Sequence, residues 1–222
     1  MRDNQQFPAE ASCRYEARGV RPASGEEYRG LVTFSRDGEA WRINWDLRTA
    51  AGETQAFHGV GFAVGSSFFA ARSAFDADPD GENYPGMVVY DSGQFGRLPA
   101  RWYHPTLKGR LGAGLSVDGP RDGIAGLYRA EYRSDVKEFD PLTKEIVARN
   151  MHFEFDWRTS AATIYIGAGD IIGEHLAAAW CSPRSSLDML RYPLVPAEDG
   201  EAAGTWLSFG HPGHGIEQLK RT

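Results

Sequence analysis

Long apolar runs and clustered basic residues are both missing from this sequence. No run of 18 apolar residues exists, so no helix is expected to span a membrane. Lys and Arg stand singly in a chain of net charge −6, which leaves no basic patch and argues against nucleic acid as a partner. The opening Met1-Arg2-Asp3-Asn4-Gln5-Gln6 lacks the apolar core of a secretory signal, and a cytoplasmic location is expected. Cysteine is scarce: Cys13 and Cys181 are too few for a disulfide framework, and both are expected to be free thiols. Nucleophile-elbow and phosphate-cradling lysine motifs are absent. Gly59-Val60-Gly61-Phe62-Ala63-Val64-Gly65 has the wrong spacing for a dinucleotide loop and is read as strand bulges or bends. No cofactor is expected.

What the chain does have is glycine, proline and short β-type runs. Its 26 glycines and 12 prolines are spread throughout, which fits many short strands joined by turns. Residues 1–12 are polar, without alternation, and read as a disordered leader. Turn signals then recur closely enough to predict roughly eight strands in the first hundred residues. Asp37-Gly38, between Leu31-Val32-Thr33-Phe34 and Trp41-Arg42-Ile43-Asn44-Trp45, is the clearest hairpin. The alanine-rich stretches 66–75 and 174–180 are short and bounded by turn residues, so they too are read as strands.

The chain is also an internal duplication. Asn44-Trp45-Asp46-Leu47-Arg48-Thr49 returns as Glu154-Phe155-Asp156-Trp157-Arg158-Thr159, and Met87-Val88-Val89-Tyr90 returns as Met189-Leu190-Arg191-Tyr192. The offset falls steadily, from 113 (Tyr15 to Tyr128) to 101 (Gly114 to Gly215), as expected if the second copy has shorter loops. Two modules follow, 13–118 and 123–222, with a linker near Val117-Asp118-Gly119-Pro120-Arg121-Asp122-Gly123.

The repeated segment alternates strictly. Trp41, Ile43, Trp45 and Leu47 share one face, and Met151, Phe153, Phe155 and Trp157 share the matching one; both faces must be buried. The opposite faces carry Arg42, Asn44, Asp46 and Arg48, and His152, Glu154, Asp156 and Arg158. Two readings of this polar side stand open. In one it is solvated, with Asp46–Arg48 and Asp156–Arg158 as weak surface pairs. In the other it lines a barrel or joins the modules, and these eight residues are the ligand-binding candidates.

The order Tyr15, Tyr28-Arg29-Gly30, Trp45, Gly59-Val60-Gly61, Tyr90, Trp102, then Tyr128, Trp157, Gly167-Ala168-Gly169, Tyr192, Gly204-Thr205-Trp206 and Gly215-Ile216-Glu217-Gln218-Leu219 resembles bacterial calycin-type repeats, some catalogued as fibronectin-binding proteins. The first copy departs from the pattern at Ala100-Arg101-Trp102 and at Ser116, where the glutamate is missing. The resemblance implies an all-β protein of two tandem antiparallel up-and-down barrels, lipocalin-like or avidin-like, each enclosing at most one small ligand. It implies no catalytic residues.

Other chemistry is thin. His211 and His214 sit close together but lack further ligands, so no metal site is expected. Asp76, Asp78, Asp80 and Glu82 are read as an acidic solvated loop rather than a calcium site. The recurring aromatics are read as core rather than ligand cage. The leading functional expectation is binding of a small, partly apolar molecule in a barrel cavity. The alternatives are a cofactor-independent isomerase or lyase, with Arg42, Asp46, His152, Glu154 or Asp156 as acid–base groups, and a protein-interaction module.

Overall fold

The computed structural model describes residues 7–8, 10–21, 24–74, 83–135, 139–183, 186–194 and 201–222. The strands fall into four runs. The first is β1 (Ser12–Val20), β2 (Glu27–Asp37), β3 (Ala40–Thr49), β4 (Thr54–Val64) and β5 (Ser67–Ser73), and the second is β6 (Gly86–Asp91), β7 (Leu98–Tyr103) and β8 (Gly112–Val117). The third is β9 (Gly126–Arg133), β10 (Leu142–Ala148), β11 (Phe153–Arg158), β12 (Thr163–Ile172) and β13 (His175–Cys181), and the fourth is β14 (Asp188–Pro193), β15 (Glu201–Ser208) and β16 (Gly215–Arg221). All pairings are antiparallel and close two eight-stranded barrels, so the all-β, two-barrel expectation holds.

The division of the chain between the barrels differs from the sequence expectation. β1–β5 close with β14–β16 to make the first barrel, and β9–β13 close with β6–β8 to make the second. The modules 13–118 and 123–222 are therefore not barrels: each contributes its first five strands to one barrel and its last three to the other. The stretch 117–123, read as a linker, joins β8 to its ladder neighbour β9 inside the second barrel. Because the two three-stranded runs carry the same landmarks, either could close either barrel by pattern alone. The choice is made at the seams, where β5 pairs β14 and β13 pairs β6.

Those seams also form the contact between the barrels. Every residue of β5 is buried, as expected of a strand covered on both faces. Val60, Phe62, Phe69 and Ala71 from the outside of the first barrel join one apolar cluster with Met87, Val89, Ala177 and Ala179 from the second. The alanine-rich stretches are strands as expected, and their small side chains allow close approach. The suggested packing through the Asp-x-Arg-Thr strands is not found: β4, β5, β14 and β15 meet β6, β7, β12 and β13 instead. The β2–β3 hairpin turns at Gly38, whose φ of 58° lies in the left-handed region, and its tip rests on the second barrel with the Glu39 amide donating to the Gly109 carbonyl at 2.7 Å.

Two further expectations are corrected. Part of the leader is ordered: Phe7 is 2% exposed and plugs one end of the first barrel, its ring 5.2–5.7 Å from those of Tyr15, Phe34, Phe68 and Tyr192. It is the one large apolar side chain after Met1 in that segment, and the barrel end gives it somewhere dry to go. Gly59 is no bulge, since its ladders run in unbroken register. A Cβ there would lie 2.0 Å from the Ala71 carbonyl oxygen and 2.9 Å from the Trp45 ring. Gly167 is crossed by the Trp157 ring in the same way. Ile43 pairs Gly59 and Phe155 pairs Gly167, so Trp45 corresponds to Trp157, Asn44 to Asp156 and Asp46 to Arg158. The sequence alignment was two residues out of step, and the shared Asp-Arg register it suggested dissolves.

Candidate functional site

Inside the first barrel, alternation brings Tyr28 from β2, Trp45 from β3, Arg72 from β5, Tyr192 from β14 and Glu217 from β16 to one place. Glu217 is fully buried. Its Oε2 accepts from Tyr28 Oη at 2.8 Å and from Arg72 Nη1 at 3.3 Å, and its Oε1 accepts from Trp45 Nε1 at 3.3 Å and from Tyr192 Oη. Arg72 crosses the seam to Asp188 of β14, with Nε and Nη2 at 2.9 and 2.8 Å from Oδ2. Its guanidinium also lies 4.8 Å from the Phe57 ring centroid and 4.9 Å from that of Trp206. Burial works against the Arg72 charge, but Asp188 and Glu217 outweigh it and hold the guanidinium pKa above its ordinary value. Burial first, then the Glu217 charge, pushes the Tyr28 and Tyr192 phenols up, so both stay protonated donors. Above this floor the barrel opens into a cavity of about 700 Å³ walled by Leu47, Phe57, Trp206 and Tyr28, with Gln55 and Ser208 among its polar lining.

The second barrel has the same frame with different contents. Trp157 Nε1 donates to Tyr132 Oη at 2.8 Å, and Tyr90 and Tyr132 hydroxyls are 2.8 Å apart. Trp102 pairs Gly112 as Trp206 pairs Gly215, so Gly114, not Ser116, stands in the place of Glu217. The Tyr132 ring lies over Gly114 and brings its hydroxyl where the carboxylate would be, with burial raising its pKa to about 12. Trp180 takes the place of Arg72 and covers Gly86, which takes the place of Asp188. The open end is consequently an apolar cleft of only about 50 Å³ among Val88, Trp102, Phe139, Trp157, Tyr165 and Trp180. One layer below, Lys144 is fully buried at the position of Val32. Its Nζ donates to Ser116 Oγ at 2.8 Å and lies 3.8 Å from the centre of the Tyr90 ring. No carboxylate pairs with it among the described residues, and burial pushes its pKa well below 10.5.

None of the eight residues nominated from the sequence lines either barrel. On β3 and β11 the alternation partners fill the interiors, so Arg42, Asn44, Asp46, Arg48, Glu154, Asp156 and Arg158 point outward, whereas His152 precedes β11 and is 5% exposed, and Met151, expected in the core, is 55% exposed. Arg42 is 2.9 Å from Asp37, which also accepts from Tyr103 Oη of the second barrel at 2.5 Å. Asn44 bonds His58 at 2.7 Å, Arg48 Nε donates to the Gly52 carbonyl at 3.2 Å, and Asp46 has no ion pair among the described residues. Arg158 lies 3.0 Å from Asp156, as expected of a surface pair, and 2.6 Å from Glu145. Glu154 sits 2.6 Å from Arg149 and 3.6 Å from His152, both of whose buried ring nitrogens lack a hydrogen-bond partner among the described residues. These two line an outer groove with His211. The barrel isomerase or lyase reading thereby loses its nominated acid–base groups. No cluster of three or more His, Cys, Asp or Glu suited to a metal occurs among the described residues, and the 76–82 acidic loop lies outside them. Cys13 and Cys181 form no disulfide and are buried in different barrels.

The buried charges had a sequence signal. Lys144 interrupts the inward series Leu142, Lys144, Ile146, and Arg72 closes the apolar run Phe68-Phe69-Ala70-Ala71. A charge in an apolar slot of an alternating strand marks an interior polar site. Comparison of the chain with family models, curated proteins and solved structures finds no match in any of the three.

Proposed function

We propose that the protein binds a small, partly apolar molecule in the open end of its first barrel. The observation that carries this reading is the contrast between equivalent barrel ends. One is a cavity of about 700 Å³ with aromatic walls over a charged floor; the other is narrowed by Trp180 to about 50 Å³. The larger volume falls in the range of about 300–1,000 Å³ typical of ligand sites, and a few convergent polar groups among apolar walls are their usual composition. Tyr28, Phe57 and Trp206 would cover the apolar part of the guest, while Asp188, Ser208 and Gln55 would receive its polar end. The four hydrogen bonds on Glu217 fix the floor in advance, so binding need not order it.

Native mass spectrometry of protein purified from its source, followed by titration of any released molecule against tryptophan fluorescence, tests the reading. Gln55→Trp fills the mouth and should weaken binding by about tenfold or more, and Phe57→Ala should weaken it through lost wall contact. A guest whose affinity is unchanged in both folded variants sits elsewhere, and the reading fails.

A further inference from the structure

Arg18, Arg29 and Arg48 stand far apart in the sequence but directly beside one another in the sheet. Arg18 of β1 is the ladder partner of Arg29 of β2, and Arg29 is the ladder partner of Arg48 of β3. All three side chains are exposed on the outside of the first barrel, and Gln218 of β16 continues the row beside Arg18. Directly opposed like charges destabilise a sheet, and here two such pairs are contiguous. The chain has 30 acidic residues with which to interrupt the row, yet Arg18 and Arg29 make no ion pair among the described residues. Arg48 bonds only the Gly52 carbonyl there, leaving Asp46 two residues away unused. The row lines a groove of about 960 Å³, shared with Tyr28, Thr49, Gly52 and one carboxylate, Glu27.

We propose that this groove is a binding site for a small polyanion, of the pyrophosphate or organic diphosphate class, whose two negative groups bridge adjacent arginines. Neighbouring strands are about 4.8 Å apart, so the three guanidinium groups can converge on two linked phosphates, and planar bidentate donors suit phosphate oxygens. The three guanidinium groups lie on the outer face, apart from the Arg72–Glu217 cluster inside the barrel.

Calorimetric titration of the whole chain with inorganic pyrophosphate, at constant ionic strength, tests the proposal. Saturable binding is expected, about tenfold tighter than for orthophosphate. Arg29→Gln at the centre of the row should weaken it by about tenfold or more. Arg14→Gln removes the same charge from β1, four residues from Arg18 and outside the row, and should leave binding within about twofold. Absence of saturation, equal affinity for orthophosphate, or equal losses in the Arg14 and Arg29 variants would each overturn it.

Discussion

Removing Asp188 attacks the first barrel at the seam that the exchanged strands create. Arg72 is 2% exposed and has two carboxylate partners, Asp188 at 2.8 Å across the seam and Glu217 at 3.3 Å. In Asp188→Ala the guanidinium stays buried with one partner, and Ser208 Oγ loses its acceptor as well. Breaking a buried ion pair from one side costs about 3–5 kcal/mol. Asp188 keeps its side chain 14% exposed and Glu217 remains, so the lower end, about 3 kcal/mol, is expected. For a chain of this size that is a fall in melting temperature of roughly 6–12 °C, read by circular dichroism. Arg72→Met alone should also destabilise, by leaving Asp188 and Glu217 short of a donor. The double variant should recover part of the loss, with a coupling of about 2 kcal/mol. If Asp188→Ala melts within about 0.5 kcal/mol of wild type, the buried ion pair is not what holds the seam.

The second seam has a steric counterpart: Gly86→Ala places a Cβ 2.2 Å from the Trp180 ring and should destabilise by about 1–3 kcal/mol in the same melt. Burial lowers the Lys144 pKa below 10.5, so between the folded value and 10.5 the unfolded chain binds more protons there than the folded one, and its contribution becomes more unfavourable as pH falls through that window. Lys144→Met with Ser116→Ala should therefore raise stability at pH 7 by on the order of 1 kcal/mol and flatten the pH dependence towards pH 10.5; an unchanged denaturation midpoint would contradict this. Burial against Trp180 lowers His104 to about 4 from 6.5, so folded stability should decline between pH 6.5 and 4, by up to about 3 kcal/mol in total. His104→Gln should remove that acid-induced loss in equilibrium unfolding series.

Much of the fold was legible because alternation and turn chemistry are local. The inward series Trp41, Ile43, Trp45 and Leu47 was assigned to a core from the sequence, and all four are buried. Asp37-Gly38 predicted a hairpin, and Asp37 does pair with Ala40 across it. The partner of each closing strand was not legible, because Met87-Val88-Val89-Tyr90 and Met189-Leu190-Arg191-Tyr192 satisfy the same pattern. The site was missed for a related reason. Attention to the repeated Asp and Arg selected residues that alternation sends outward, whereas Arg72, Lys144 and Glu217 differ between the copies. The arginine row was hidden for a third reason: residues 18, 29 and 48 form a patch only through the ladder.

The differences between the copies explain why the strands are exchanged. Were β6–β8 to close the first barrel, Arg72 would meet Gly86 in place of Asp188 and Gly114 in place of Glu217, and lose both of its carboxylates. Were β14 to pair with β13, Trp180 would be driven onto Asp188, burying that carboxylate under an indole. The exchanged seams instead match a buried cation to an anion in the first barrel and a large ring to a glycine in the second. An unpaired buried charge in one barrel and an overpacked ring in the other would together cost several kcal/mol, a sizeable share of a stability of about 5–15 kcal/mol. The same two substitutions set the contrast between the barrel ends. Arg72 with Asp188 leaves the first barrel open above a charged floor, and Trp180 over Gly86 nearly closes the second. One pair of seam contacts therefore fixes both which strands close which barrel and which barrel has room for a guest.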